Sequence, residues 1–516
     1  MNTHNFAPSL EAEFERKHID RELTLSILDR FNRGEFDHFK PVQVDSLPQV
    51  DGTQIIDMTG EVEYECNHIH FYSRVDELFS DSQVKESVQQ LGRRQNKTIT
   101  FSSRDLYEIG MHLLPSIAYG ILNGGSATSY VDEKKNRSFS GDLYQLVSPV
   151  LEPAAAISRG KPKGVTPAFI NPDGSPGPSF LELKMRALLI QAMRYQRRHG
   201  RSEKEVLPVF QMTSFYTDEQ VNTAMQGYRE SPFLRGLENA HHPSILAPRT
   251  AVQPLIAAYT HSSEGRPKQL FAEAWGKENS LLPLPGGHGQ NFAVLSEIYR
   301  SLYSEGYKYA YLGNIDNLGN TVEPISIALL ALSGTQGAFE FAFKTPVDVK
   351  GGILVRDQYG KLNAADIGPA ISKDEVQQAE QSGTPILFNC ASGIFDLKYL
   401  SEQLDFIARN LPTRFSDQDK DAGRYSQAEQ ITWEIIGMMD TPLILGVNKY
   451  DRFLASKLLL ENLMTSGIGI DNSSYPADLK PLADKLHAGL QRALKGPYGL
   501  TLKDGRWEPK NAKEIE

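Results

Sequence analysis

Cysteine is nearly absent from this chain of 516 residues, which contains only Cys66 and Cys390. Two cysteines can form neither a disulfide framework nor a cysteine-rich metal cluster. We therefore expect both to be free, buried thiols in a reducing compartment, which predicts a cytoplasmic location.

Long runs of basic or of apolar residues are also missing. The formal charge is −10, and no Lys/Arg block offers a surface that could neutralise a nucleic-acid backbone. The longest apolar run, near residues 325–332, has about half the length of a membrane span, and the N-terminus lacks the layout of a signal peptide. We expect a soluble, intracellular protein without nucleic-acid or membrane partners.

Alternating strand and helix patterns are present from about residue 115 onwards. Apolar residues recur at helical spacing from Leu181 to Met193, before Gly200, which predicts an amphipathic helix packed on a sheet. This alternation predicts an α/β fold with a mixed, mostly parallel sheet flanked by helices. Strands are expected at residues 117–122, 207–212, 309–315, 339–343, 352–355, 386–390 and 443–447.

Two local signals refine this prediction. Thr217 and Gln220 have the spacing of a capping box, which predicts a helix start with reciprocal side-chain hydrogen bonds. Residues 357–360 have the composition of a hairpin turn, which predicts some antiparallel pairing in the second half of the chain.

The length predicts two or three domains. We expect a mainly helical N-terminal region at residues 1–105, a catalytic domain at 106–439 and a C-terminal region at 440–516. The first region contains no glycine-rich or ligand-like cluster, so its role is not predicted.

The strongest functional signal lies where the strand near residue 311 ends. Asn314, Asp316 and Asn317 follow one another there and precede a glycine turn. A carboxylate between two amides at the carboxyl end of a buried strand is typical of sites in α/β enzymes that hold a metal and a phosphate-bearing substrate.

Three loops could contribute to the same site. Gly124 and Gly125 follow the first predicted strand, Lys163 lies in a Pro/Gly frame, and His288 lies in a loop dense in glycine. Each loop alone is explained as well by an ordinary turn, and His288 has no acidic partner that would make it a general base. Phosphate binding is favoured because the three occur together.

Taken in order, these segments resemble the UDP-sugar pyrophosphorylase family over roughly residues 115–460, and within it the enzymes that use glucose 1-phosphate. The resemblance lies in eight short segments in the family's order: Leu-Asn-Gly-Gly-Ser-Ala-Thr at 122–128, Pro-Lys-Gly at 162–164, Met-Thr-Ser-Phe-Tyr-Thr at 212–217, Pro-Gly-Gly-His-Gly at 285–289, Asn-Ile-Asp-Asn-Leu-Gly-Asn-Thr-Val at 314–322, Val-Lys-Gly-Gly at 349–352, Phe-Asn at 388–389 and Arg-Phe-Leu-Ala-Ser-Lys at 452–457.

The chain also departs from the family. Ser126 and Ala127 replace Leu-Gly in the first loop, and about 30 residues intervene before Lys163. Gln290 replaces an acidic residue, and Ile353 replaces a threonine near the sugar. The segment after residue 457 lacks hexapeptide periodicity, so the C-terminal β-helix of eukaryotic relatives is not expected.

The resemblance implies a Rossmann-like nucleotidyltransferase fold of the GT-A-like type and a Mg²⁺-assisted reaction. UTP and a sugar 1-phosphate, most closely glucose 1-phosphate, would give a UDP-sugar and pyrophosphate. The implied catalytic residues are Lys163, Asp316 and Lys457, with Asp316 as the Mg²⁺ ligand; the nucleotide would contact Gly124, Gly125, Lys163, Met212, Gly287 and His288; and the sugar phosphate would contact Asn314, Gly352, Asn389 and Lys457.

Several alternatives stay open at this point. One alternative is the same reaction on N-acetylglucosamine 1-phosphate, on galactose 1-phosphate or on several sugar phosphates. A catalytically impaired relative that binds a UDP-sugar is another, because the first loop is altered. A nicotinamide-dependent dehydrogenase is disfavoured because the first loop lacks Gly-x-Gly-x-x-Gly. Neither the oligomeric state nor the residue that reads the uracil base is predicted.

Overall fold

The structure is a computed structural model that describes residues 6–37, 42–237, 243–345, 348 and 351–515. Its strands are β1 (Val44–Ser46), β2 (Ile55–Asp57), β3 (Tyr64–Asn67), β4 (Arg93–Gln95), β5 (Thr98–Phe101), β6 (Ile117–Leu122), β7 (Val209–Ser214), β8 (Arg249–Gln253), β9 (Leu255–Ala257), β10 (Tyr259–Thr260), β11 (Pro283–Pro285), β12 (Tyr309–Asn314), β13 (Gly337–Phe343), β14 (Gly352–Asp357), β15 (Leu362–Asp366), β16 (Leu387–Asp396), β17 (Thr413–Lys420), β18 (Gly423–Gln430), β19 (Leu443–Val447), β20 (Leu500–Lys503) and β21 (Arg506–Pro509).

The helices of the described residues precede β1 or lie between some of the later strands. They are α1 (Pro8–Arg16), α2 (Arg21–Asn32), α3 (His68–Leu78), α4 (Ser82–Gln89), α5 (Ser103–Leu113), α6 (Glu133–Phe139), α7 (Gly141–Ser158), α8 (Phe180–His199), α9 (Asp218–Gly227), α10 (Pro243–Leu246), α11 (Asn291–Val294), α12 (Ser296–Ser304), α13 (Pro324–Ser333), α14 (Lys373–Gln381), α15 (Leu397–Asn410), α16 (Lys449–Arg452), α17 (Leu459–Ser466) and α18 (Lys480–Lys495).

One large mixed sheet organises the fold, with the strand order β2-β19-β13-β16-β12-β6-β7-β8. The run β12-β6-β7-β8 is parallel, as is β13-β19-β2, whereas β16 is antiparallel to both of its neighbours. Helices cover both faces: α5, α8, α13 and α18 pack on one, and α12 and α15 on the other. The predicted α/β class with a mixed, mostly parallel sheet is confirmed.

The predicted elements at the centre of the sheet are confirmed within a few residues. Strand β6 has the predicted bounds, and all six of its residues are buried, as expected for a strand covered on both faces. Helix α8 begins at a capping box formed by Ser179 and Glu182 and ends at Gly200, which has a φ of 80°. The predicted hairpin turn connects β14 to β15, which pair antiparallel.

The capping box predicted at Thr217 is wrong. Thr217 precedes α9, but its backbone is already helical and its side chain caps no N–H group of that helix. Its hydroxyl instead accepts a hydrogen bond from the Ser214 backbone N–H (3.0 Å), because the chain turns sharply between β7 and α9. Gln220 donates to the carbonyl of Gly160, in the loop that carries Lys163 (3.3 Å).

The described parts of the first and last regions of the chain pack against this sheet. The described residues from 6 to 105 form four complete helices, the start of α5 and five short strands, and β2 extends the central sheet beside β19. Helices α1 and α2 pack on residues of β9 and β10. The described residues after Lys457 form α17, α18 and the β20–β21 hairpin rather than a β-helix. The domain division expected from the sequence stays a prediction.

The apolar run near residue 325 forms α13, which is buried against α5. Among the described residues no helix is both long and apolar enough to cross a bilayer. Cys390 is a buried free thiol, as predicted, whereas the free thiol of Cys66 is only partly buried.

Candidate active site

A cleft of about 460 Å³ opens at the carboxyl ends of the parallel strands. Leu122 at the end of β6 pairs with Asn314 on β12 and with Met212 on β7, and Met212 pairs with Ala251 on β8. Because these strands are parallel and in register, their loops meet at one edge of the sheet, where α/β proteins bind ligands.

Nine of the eleven candidate site residues line this cleft, although they are up to 333 positions apart in the sequence. They are Gly124, Gly125, Lys163, Met212, Gly287, His288, Asn314, Asp316 and Lys457. The two other candidates, Gly352 and Asn389, lie outside it on β14 and β16. The cleft is also lined by Tyr130, Gln253 and Ser456, which were not predicted.

The glycine loop and the lysine loop are joined by their backbones. The Lys163 N–H donates to the Gly125 carbonyl (2.9 Å), and the Ala127 N–H donates to the Lys161 carbonyl (2.9 Å). The 30 or so residues between the loops form α6 and α7, which pack with α17 in one apolar cluster. The insertion that departs from the family therefore folds away from the cleft and returns Lys163 to the glycine loop.

Lys163 is a buried cation at the wall of the cleft. Its Nζ donates to the Ser456 carbonyl (3.1 Å) and lies 2.9 Å from the centre of the Tyr130 ring. Burial lowers the pKa of Lys163 to about 7, against the opposing influence of Asp316 and Glu461. Anionic oxygens entering the cleft would stabilise the ammonium form.

The turn after β12 is built around Asn317. Its Oδ1 accepts from the N–H groups of Gly319 and Leu454 (3.0 Å each), and its Nδ2 donates to the Arg452 carbonyl (3.0 Å). Asn317 therefore positions two segments at once, the one that carries Asp316 and the one that leads to Lys457.

A second buried lysine supports this turn from the side away from the cleft. Lys184 Nζ donates to the carbonyls of Asn317 (2.6 Å) and Asn320 (2.5 Å). Asp316 is half-buried at the cleft, and the Lys457 side chain is exposed at its rim.

The histidine loop packs tightly on strand β18. A Cβ on Gly287, whose φ is 81°, would lie 2.4 Å from the Gln430 carbonyl oxygen, so only glycine fits. The backbone N–H of Thr432 donates to His288 Nδ1 (3.1 Å), which leaves the imidazole proton on Nε2. Burial lowers the pKa of His288 to about 4, so the ring is a neutral hydrogen-bond donor rather than a cation.

Gln253 is a polar group of the cleft that the sequence did not assign. It ends β8, is 4% exposed, and its Nε2 donates to the Gly287 carbonyl (2.7 Å) and to Gln290 Oε1 (2.8 Å). The signal that could have found it is its position at the carboxyl end of a strand beside β7, but β8 itself has a weak apolar pattern.

The candidates for the sugar side are less tightly grouped. Gly352 and Asn389 are neighbours, since a Cβ on Gly352 would lie 3.9 Å from the Asn389 Cβ. Asn389 Oδ1 accepts from the Ala391 N–H (2.8 Å). Ile353 belongs to a buried apolar cluster with Val355 and Phe388 rather than to the cleft. Val349 and Lys350 of the motif at 349–352 lie outside the described residues.

Among the described residues that line the cleft, Asp316 is the single carboxylate that could bind a metal. In the part of the chain that the structure describes, no group of three or more His, Cys, Asp or Glu side chains could hold a metal ion. Mg²⁺ commonly binds through one or two carboxylates together with substrate phosphates. Asp316 therefore fits a Mg²⁺ ion that arrives with a phosphate-bearing substrate, and not a site made by the protein alone.

Comparison with known proteins places this chain in a family. The family model described as UTP–glucose-1-phosphate uridylyltransferase matches residues 174–465, more than half of the chain. UTP–glucose-1-phosphate uridylyltransferase 2 of Dictyostelium discoideum is 26% identical over 192 residues, which are 37% of this chain and 33% of the relative. The Hordeum vulgare UTP–glucose-1-phosphate uridylyltransferase is 24% identical over 326 residues, 61% of this chain and 62% of the relative.

The curated relatives are matched only in part, since the matched segments span 25% to 62% of their length. Solved structures agree on the fold over more of the chain. A mutant of UDP-glucose pyrophosphorylase from Leishmania major, in complex with UDP-glucose, aligns with 90% of this chain and 79% of its own, with a TM-score of 0.53 and 16% identity.

Proposed function

Because this chain belongs to the UTP–glucose-1-phosphate uridylyltransferase family, we propose that it transfers the uridylyl group of UTP to glucose 1-phosphate. A phosphate oxygen of the sugar phosphate attacks the α-phosphorus of UTP. The new P–O bond forms as the bond to the bridging oxygen breaks, and pyrophosphate leaves. The products are UDP-glucose and pyrophosphate.

One observation carries this proposal. Lys163, Asp316 and Lys457, from three distant segments, line a single cleft at the carboxyl edge of the parallel strands. In phosphoryl transfer, positioning and charge stabilisation supply most of the catalysis. A reaction between two polyanions therefore needs positive charge, which the two lysines and a Mg²⁺ ion bound by the carboxylate would supply.

The nucleotide would occupy the wall formed by β6, β7 and β8. Gly125 faces open space, with no atom within 4 Å of a Cβ placed on it, so a ligand can approach the backbone there. Gly124, Met212 and Gly287 would frame the uridine, Gln253 would face the base, and Lys163 would contact the triphosphate. His288 would donate a hydrogen bond to a phosphate oxygen through Nε2.

Asp316 would hold the Mg²⁺ ion that enters the cleft with a phosphate-bearing substrate. When bound, the ion supplies positive charge where negative charge develops on the transferring group. The residues around Asp316 supply position. The turn that carries the carboxylate is fixed by Asn317 and Lys184, and holding reactants in line is worth on the order of 7–11 kcal/mol in such reactions.

The sugar phosphate would lie on the side of Asn314 and Lys457. Its attacking oxygen is already anionic, so the step requires no general base, which agrees with the neutral His288. Lys457 would pair with the phosphate, and Asn314 would hold a sugar hydroxyl. Gly352 and Asn389 would reach the sugar only if β14 and β16 lie closer to the cleft in the complex.

Glucose is the sugar we propose, because the family description and the Leishmania UDP-glucose complex name it. The test uses purified protein with UTP, Mg²⁺ and a panel of glucose, galactose and N-acetylglucosamine 1-phosphates, scored for pyrophosphate release. We expect glucose 1-phosphate to give the largest kcat/KM. A larger kcat/KM with another sugar 1-phosphate would make that sugar phosphate the substrate. If no pyrophosphate is released although UDP-glucose still binds, the protein is a catalytically impaired relative.

A further inference from the structure

Tyr130 places a hydroxyl group without a partner at the wall of the cleft. The residue lines the cleft, and only 3% of its surface is exposed. Among the described residues its hydroxyl has no hydrogen-bond partner. A buried hydroxyl that is left unpaired costs stability, because it has lost water without gaining another partner. A phenylalanine would fill nearly the same space without this cost, so packing alone does not explain the hydroxyl.

The backbone of Tyr130 is held in place just after the glycine loop. Its carbonyl accepts from the Leu459 N–H at the start of α17 (2.9 Å) and from Asn136 Nδ2 on α6 (3.0 Å). Its side chain belongs to the apolar cluster in which α7 and α17 pack together. Tyr130 is therefore fixed between the insertion and the helix that follows Lys457.

The Tyr130 ring is in contact with the buried cation of the cleft, since Lys163 Nζ lies 2.9 Å from the ring centre. The two carboxylates that act on the Lys163 ammonium, those of Asp316 and Glu461, also act on the Tyr130 hydroxyl. Burial raises the pKa of Tyr130 well above its usual value, and these two charges raise it further. The hydroxyl therefore keeps its proton, and Tyr130 offers an O–H donor beside an ammonium group.

We propose that Tyr130 is a substrate-contacting residue whose hydroxyl donates a hydrogen bond to a phosphate oxygen of the bound nucleoside triphosphate. The inference rests on the proposed function for its ligand, UTP. An anionic oxygen that is attracted to Lys163 arrives beside Tyr130, because the ammonium group and the ring are in contact. The hydroxyl then gains the partner that it lacks in the free protein. A hydrogen bond to a charged oxygen is stronger than one between neutral groups.

Two matched variants separate this contact from packing. Tyr130→Phe removes the hydroxyl and keeps the ring against Lys163. Tyr475→Phe is the control: Tyr475 belongs to the same apolar cluster, and its buried hydroxyl also has no partner among the described residues, but it does not line the cleft. UTP and uridine are titrated into each protein by calorimetry with Mg²⁺ present. Thermal unfolding and initial rates of pyrophosphate release are measured alongside.

We expect Tyr130→Phe to weaken UTP binding by about tenfold or more, as the loss of a hydrogen bond to a charged group predicts. Uridine has no phosphate, so its binding should not change. The Tm of the free Tyr130→Phe protein should not fall, because the substitution removes only an unpaired group. The Tyr475→Phe protein should bind UTP as the unsubstituted protein does.

Unchanged UTP binding in Tyr130→Phe would overturn the inference. Equal losses for UTP and uridine in that variant would also overturn it, and so would equal losses of UTP binding in the two variants, since either result indicates a packing effect. If UTP binds but no pyrophosphate is released, the proposed reaction is wrong. The ratio of UTP affinities between Tyr130→Phe and the unsubstituted protein still decides this inference in that case.

Discussion

The proposed nucleotide side and the proposed sugar side of the cleft differ in how firmly the protein holds their polar groups. On the nucleotide side, Lys163, Gln253 and His288 all have main-chain hydrogen-bond partners, and Lys163 and Gln253 are buried. On the sugar side, Lys457 is exposed and Asn389 lies outside the cleft. A group that is already oriented loses little entropy on binding. The proposed nucleotide side is therefore the preorganised one, and we expect the proposed sugar side to be completed by its ligand.

Asp316 lies between the two sides, so its removal should have the largest effect. Asp316→Ala should lower kcat by about a thousandfold, because no other carboxylate lines the described part of the cleft to bring Mg²⁺. Pyrophosphate release measures the loss, and thermal unfolding shows whether the fold is retained. Asp374→Ala, an exposed carboxylate on α14, is the control and should leave turnover unchanged. Full activity of Asp316→Ala would refute the metal assignment.

The two lysines test the comparison directly. Lys163→Met should lower kcat/KM for UTP by about a hundredfold, because a preorganised cation is lost. Lys457→Met should instead raise KM for the sugar phosphate, by about tenfold, because an exposed cation pairs more weakly. Initial rates with each substrate varied in turn separate the two effects. If Lys457→Met weakens only the binding of UTP, Lys457 belongs to the nucleotide side instead.

The buried Lys163 should make UTP binding depend on pH. Burial lowers the pKa of Lys163 to about 7, and a bound triphosphate favours its charged form, so UTP binding takes up a proton above pH 7. UTP affinity should therefore fall as pH rises from 7 to 9, by up to about tenfold per pH unit. Calorimetry in two buffers of different ionisation enthalpy measures the uptake. The Lys163→Met variant should take up no proton when it binds UTP. Proton uptake that persists in this variant would come from another group.

The sequence predicted the parts of this molecule that depend on local pattern. The apolar run at residues 117–122 predicted the bounds of β6, and the carboxylate between two amides after residue 313 predicted that the end of β12 belongs to the site. It did not predict Gln253, because the amide acquires its role only when β8 pairs with β7 and the histidine loop closes over it. Nor could spacing show that the insertion before Lys163 folds away, since only tertiary packing returns the lysine to Gly125.

The smallest expected effects concern the two asparagines of the sugar side. Asn314 lines the cleft, and Asn389 lies outside it with its side-chain oxygen bonded to the Ala391 N–H. Asn314→Ala should raise KM for glucose 1-phosphate by about tenfold, as the loss of one hydrogen bond to a ligand predicts, and Asn389→Ala by about threefold or less. KM for UTP should change little in either variant. Equal effects would mean that the part of β16 that carries Asn389 moves towards the cleft when the sugar binds, so that the proposed sugar side becomes as ordered as the nucleotide side once it is occupied.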